Sequence, residues 1–214
     1  MSQTMKDMLH LSFGEEVGNA ISHGVMALAC LFSIPFVAIY SYLNGGLVKA
    51  IGESIYIICL FLMFLISTIY HSMEFSSRQK YVFRKLDHVC IFLAIAGTYT
   101  PILLHIKGNL GYGLLFWQWL ITLFGILLTT IPKKHYKKLE MLIYLSMGWA
   151  AVLILPKLIS ELSINFLLLI VAGGVLYTIG AIFYSKKFNY AHFIWHIFIN
   201  LASICHFIAV VFLL

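Results

Sequence analysis

His192 and His196 stand four residues apart in the segment His192-Phe-Ile-Trp-His196. On a helix that spacing puts both imidazoles on one face, within reach of a single ion. His71, from a distant part of the chain, brings the nitrogen ligands to three. Zinc suits such a set, and three protein ligands leave a fourth position for water, as in catalytic rather than structural zinc sites. Zinc lowers the pKa of water to about 7, so hydrolysis is the chemistry on offer. Position 193 is Phe, so the Glu of an H-E-x-x-H protease helix is missing. Asp87 is the candidate for that role, as base or as the group that orients the water. Ser67 lies one turn before His71 on the same face, placed to hydrogen-bond that water or a substrate carbonyl.

The elements that must position these residues are membrane helices. The chain has 214 residues, of which 62% are hydrophobic and 10% charged, and its mean hydropathy is +0.96. A soluble domain carries about 25% charged residues. The deficit excludes a disordered chain, a secreted disulfide scaffold and an ordinary soluble enzyme. Charge-free runs cover 17–48, 54–73, 88–106, 108–132, 141–156, 162–185 and 188–214. A crossing takes about 20 mostly apolar residues, so these runs predict seven transmembrane helices near 20–43, 48–71, 86–106, 110–131, 139–158, 163–184 and 190–213. The fifth reaches length by using Leu139 and a snorkelling Lys157. Continuous apolar runs favour helix over the alternating pattern of a membrane barrel. Pro35 is expected to interrupt the first span, and Gly97 with Pro101 the third, as structural kinks. The expected fold is therefore all-α: a short cytoplasmic segment over 1–19, then one seven-helix transmembrane domain over 20–214.

Charge fixes the expected orientation. The N-terminus and the connections after spans 2, 4 and 6 hold eleven basic residues, including Lys6, Arg78, Lys80, Arg84, Lys85, Lys133 and Lys134; the opposite connections hold only Lys49, Lys107 and Lys157. The positive-inside rule then predicts a cytoplasmic N-terminus and an outer C-terminus, the reverse of a G-protein-coupled receptor. The net charge of +6 thus reads as topology, and no nucleic-acid partner is expected. The acidic start of the chain does not resemble a secretory signal. Cys30, Cys59, Cys90 and Cys205 all fall inside spans and read as small buried apolar residues. Tyr40, Tyr42, Tyr112, Tyr184 and Tyr190 fall near expected membrane interfaces, as an aromatic belt does.

Orientation sorts the ionisable residues by depth. Ionisable groups inside a bilayer are costly and mark function by default. His23, His71, Asp87, His88, His192 and His196 converge on the cytoplasmic third. His206 lies ten residues beyond His196, about 15 Å along a helix, and is too deep to join them. Each residue also has a plainer use. Asp87 could pair with Arg84 or Lys85, or favour a helix N-terminus. Ser67 could bond back into its own helix. His88, adjacent to Asp87, points elsewhere and reads as an interface residue. His105 and His206 read as interface residues or interhelical hydrogen-bond partners. Glu53 reads as reaching the outer headgroups.

Three motifs then carry a resemblance. They are Glu15-Glu16-Val-Gly-Asn19-Ala-Ile-Ser-His23 opening span 1, Ser67-Thr-Ile-Tyr-His71 closing span 2 with Asp87 opening span 3, and His192-Phe-Ile-Trp-His196 in span 7. In this order the chain resembles the hemolysin III branch of the progestin and adipoQ receptor family, within a superfamily that includes alkaline ceramidases. The resemblance covers nearly the whole chain. It implies a seven-helix bundle in the cell membrane, of bacterial type, with zinc held by His71, His192 and His196 and with Asp87 and Ser67 beside the metal water. It also implies support from helix 1 through Asn19, His23 and a glutamate. Glu16 has the better spacing to Asn19. The animal receptors of the family carry a long N-terminal domain and a C-terminal tail that are missing here, so a hormone-receptor role is not expected.

The leading expectation is a zinc-dependent intramembrane hydrolase of a lipid amide or ester, ceramidase-like, with membrane lipids as partners and an acyl chain in the bundle. The alternative is a non-enzymatic regulator of membrane lipid state or energetics with structural zinc. A pore-forming cytolysin is a further alternative, poorly supported without an export signal. A transporter would want its site near the midplane, whereas these ligands crowd one face.

Overall fold

The computed structural model describes residues 10–75, 77–106, 108–132 and 136–214. Lys6, Lys107, Lys133 and Lys134, four of the charges counted for orientation, lie outside them, as do residues 1–9 of the expected 1–19 segment. Among the described residues every regular element is helical. The order is α1 (Phe13–His71), α2 (Arg78–Ile106), α3 (Gly108–Thr130), α4 (Lys137–Gly148), a 3₁₀ stretch (Trp149–Ile154), α5 (Leu155–Glu161), α6 (Ile164–Tyr184), α7 (Ala191–Ile208) and a final wide turn (Ala209–Leu213). Six stretches are long and apolar enough to cross a membrane, with Lys137–Glu161 counted as one.

α1 is the exception in length. It starts at Ser12, whose hydroxyl caps the amide of Glu15, and contains 59 residues. As one rod it would measure about 88 Å, far more than the ~30 Å hydrocarbon core. It is bent double instead. Gly46 has φ 75° and ψ −167°, outside helical space, a conformation that only glycine adopts cheaply. The two arms then meet along their length. The Ser41 hydroxyl donates to Glu53 near the bend, and His71 meets Glu16 at the open end. The gap between the first two expected spans, 44–47, is therefore a bend inside a nominally continuous helix.

α2 is the central element. Of its most apolar stretch 72% is buried, against 22% for α3 and 17% for α6. Gly52 lets the second arm of α1 close onto it, since a Cβ there would lie 3.0 Å from Pro101 Cα. The outer helices present apolar side chains outward, among them Phe116, Phe124, Leu168 and Ile182. Lipid rather than water is the solvent for such a face.

The expected kinks are not where the backbone breaks. α1 runs through Pro35 and α2 through Gly97 and Pro101 as helix. The break is in the fifth expected span, at Gly148. There the Tyr99 hydroxyl donates to Gly148 O (2.7 Å) and accepts from Ala151 N (2.8 Å), and Gln118 Nε2 donates to Met147 O (3.0 Å). Side chains from α2 and α3 thus take over backbone groups that the helix gives up as it tightens. α2 also begins earlier than expected. Arg78, Lys80, Arg84 and Lys85 belong to its first turns and not to a loop.

Candidate metal centre

Three elements supply the site. The first arm of α1 brings Glu16, Asn19 and His23, and the second brings Ser67 and His71. α2 brings Asp87, and α7 brings His192 and His196. His71, His192 and His196 each offer a ligand atom, and these atoms lie within 4.8 Å of one another. Their rings are separated by 4.8 Å (His192–His196), 4.9 Å (His71–His196) and 5.1 Å (His71–His192) between centroids. His71 and His196 are buried and His192 is half-buried.

The donor atoms fit a metal. His71 Nε2 and His192 Nε2 are buried without a hydrogen-bond partner. The partner on offer to His196 is the backbone oxygen of Asn19, outside normal hydrogen-bond geometry. Buried polar atoms left in this way are costly unless something binds them. The other nitrogen of His71 is engaged. Nδ1 lies 2.6 Å from Glu16 Oε2, and Asn19 Nδ2 lies 3.5 Å from the same atom. With Nδ1 protonated and donating to Glu16, the lone pair of Nε2 points into the cluster. This carboxylate–histidine arrangement is how metal-bound imidazoles are usually fixed.

Of the two acidic residues in the first motif, Glu16 makes this contact. The side chain of Glu15 is buried elsewhere, and its amide is capped by Ser12. His23 stacks on His196, with centroids 3.7 Å apart and planes 11° apart. It stands outside the three-ligand cluster.

Ser67 and Asp87 face each other where α1 packs on α2, while the neighbouring Thr68 bonds back to Phe64 O (2.8 Å). Both Ser67 and Asp87 line a cavity of about 240 Å³ bounded by α1, α2, α4, α5, α6 and α7. His23 reaches its wall as well, whereas the three ligand imidazoles do not. The cavity follows Ile91, Ile95, Tyr99 and Ile102 along one face of α2. From Asp87 to Ile102 that is about 22 Å of helix. Its charged groups Asp87, Lys137 and Glu140 gather at one end, and Thr98, Tyr177, Thr178 and His206 punctuate an otherwise mainly aliphatic and aromatic wall.

Against this geometry the family match is decisive. The haemolysin-III-related family matches residues 11–207, nearly the whole chain. The chain belongs to that family. It is 35% identical over 200 residues to Hemolysin-3 of Bacillus cereus, covering 92% of this chain and 91% of the relative. It is 36% identical over 200 residues to the Hemolysin-3 homolog of Bacillus subtilis (strain 168), covering 92% and 93%. It is also 25% identical over 203 residues to the human Monocyte to macrophage differentiation factor, covering 92% and 83%. Six long apolar helices and these bacterial relatives make this haemolysin-III-related chain a multi-pass protein of the bacterial cell membrane.

Other sequence expectations fare differently. His88 pairs across helices: its Nδ1 lies 2.9 Å from Oε2 of Glu140, which is 1% exposed. Glu53 does not reach headgroups; it is fully buried, held by Ser41 and 3.7 Å from Lys49. Tyr184 packs on His192 and Trp195 and lines the cavity, so it is no belt residue. His206 does bridge helices, lying 3.2 Å from Ile170 O, and Gly173 makes room for its ring. The cysteines are all free. Two residues close to the site were missed, Lys80 and Glu140. A signal for Lys80 existed. Lys80, Arg84 and Asp87 are spaced i, i+4, i+7 and share one helix face.

Proposed function

We propose that this haemolysin-III-related protein is a zinc-dependent intramembrane hydrolase of a lipid amide or ester. The observation that carries the reading is the junction of two features. Ser67 and Asp87 face each other beside the three-imidazole cluster and line one end of a long, mainly apolar cavity. Zinc on His71, His192 and His196 supplies a Lewis acid that polarises a carbonyl and acidifies water at neutral pH. The protein's own groups do the rest. The apolar wall along α2 holds one acyl chain and excludes water, with the chain's carbonyl end toward Ser67. The Ser67 hydroxyl orients the Asp87 carboxylate. Asp87 takes a proton from the attacking water at its carboxylate oxygen and returns it to the leaving nitrogen or oxygen, so one water is consumed per bond broken.

Seven crossings, with a cytoplasmic N-terminus and residues 20–214 as one membrane domain, go with this reading. The doubling of α1 at Gly46 and the split of basic residues support them. Reporter fusions at the C-terminus that are active only on the cytoplasmic side would count against the orientation.

The test of activity is direct. Purified protein of measured zinc content is incubated with ceramide and acyl-ester vesicles, with and without chelator, and products are quantified by mass spectrometry. Chelator-sensitive release of fatty acid is expected; unchanged lipid at full zinc occupancy would sink the proposal. One observation favours a second reading, a regulator of membrane lipid state with zinc as a clamp: the ligand imidazoles themselves do not line the cavity. Asp87→Asn and Ser67→Ala separate the two. Loss of function with zinc retained supports catalysis, and retained function supports the clamp.

A further inference from the structure

Lys80 was counted above as one of the charges that set orientation, yet its side chain is not in solvent. It is 1% exposed. A buried ammonium costs several kcal/mol unless its donors are met, and here they are. Nζ donates to Glu16 Oε1 at 2.7 Å and to Met73 O at 3.0 Å. Its remaining side faces the Tyr70 ring, 4.9 Å from the centroid. The backbone is shaped to deliver it. The Ser77 hydroxyl accepts from Lys80 N at 3.1 Å, and Ser77 itself closes a turn onto Glu74. The other oxygen of the same Glu16 carboxylate meets His71 Nδ1 at 2.6 Å. Lys80, Glu16 and His71 therefore form one unbroken line from the start of α2 to the metal cluster.

We propose that Lys80 is a positioning residue for the metal centre: it pins the Glu16 carboxylate so that His71 is held in one tautomer and one ring orientation, with Nε2 toward the ion. The proposal rests on reading His71, His192 and His196 as the metal ligands. A carboxylate bound through one oxygen alone can swing about its Cγ–Cδ bond. An ammonium on the second oxygen removes that freedom. A pair that merely staples α1 to α2 would do as well with either oxygen and would not need the imidazole in line.

The test measures zinc affinity of the full-length protein in detergent, by competition with a chromophoric chelator. It adds the visible spectrum of the cobalt-substituted form and the melting temperature of the metal-free form. Lys80→Met is expected to weaken zinc binding about 10–100-fold, the range for outer-shell partners. Lys80→Met combined with Glu16→Gln is expected to bind no more weakly than Glu16→Gln alone, because both changes act on one line of contacts. Should Lys80→Met fail to fold, Lys80→Arg keeps the charge but replaces a point donor with a rigid fork, and a shifted cobalt spectrum is expected. Wild-type affinity and spectrum in the folded variants, with only the melting temperature lowered, would overturn the proposal and leave a helix staple. A fully additive double variant would overturn it too. Absence of zinc binding in the wild type would instead remove the metal reading on which it rests.

Discussion

Two carboxylate–histidine pairs lie side by side at one end of the bundle. In one, Glu16 meets His71 Nδ1 at 2.6 Å; in the other, Glu140 meets His88 Nδ1 at 2.9 Å. Both involve buried side chains and distant helices. They differ in what surrounds the pair. The second oxygen of Glu16 holds the Lys80 ammonium, and beyond His71 lie two more imidazoles. The second oxygen of Glu140 takes the Thr129 hydroxyl at 3.2 Å, and the backbone oxygen of His88 takes the Tyr144 hydroxyl at 2.9 Å. The first pair aims a nitrogen at a shared point. The second ties α2, α3 and α4 together. A carboxylate on a histidine is thus no metal signature by itself. Convergence of further ligands decides it.

That contrast can be broken at several strengths. The largest effect is expected from His196→Ala, which leaves two imidazoles for the ion. Zinc affinity should fall beyond the ~10–100-fold of an outer-shell change, while His88→Ala keeps wild-type zinc after dialysis. Equal zinc loss in both variants would erase the distinction. Glu16→Gln comes next, with an affinity loss of about 10–100-fold by chelator competition. Glu140→Ala should leave zinc affinity alone but cost about 1–3 kcal/mol in a denaturant titration, since it strips a partner from half-buried His88 and from buried Thr129. Tyr144→Phe is the mildest. It removes one hydrogen bond to the His88 carbonyl, worth about 0.5–1.5 kcal/mol, with no change in bound metal.

The same contrast explains what the sequence made legible. The apolar runs marked the helices because a lipid environment leaves little choice of residue, and the gap at 44–47 between the first two expected spans holds the bend of α1. Sorting residues by depth brought His71, Asp87, His192 and His196 to one level, and the structure brings His71, His192 and His196 within reach of one ion. Lys80 and Glu140 escaped because a charge at a span's end reads as a loop charge until its partner is known. Lys80 and Glu16 lie 64 positions apart. The break at Gly148 escaped for a related reason: the groups that take over its backbone bonds, Tyr99 and Gln118, belong to other helices. Pro35 and Pro101, read as kinks, lie within continuous helix.

The fold of α1 at Gly46 has a consequence for biogenesis. As the chain is made, its first arm and second arm emerge together and can close as a hairpin, so Glu16 can meet His71 while most of the protein is still unmade. His192 and His196 come from α7, made well after both arms of α1. The second and third of the clustered imidazoles arrive only then. On the proposed metal reading, capture would be a late event that reports on insertion of α7, and a chain stalled before α7 would carry a prepared half-site with nothing to close it.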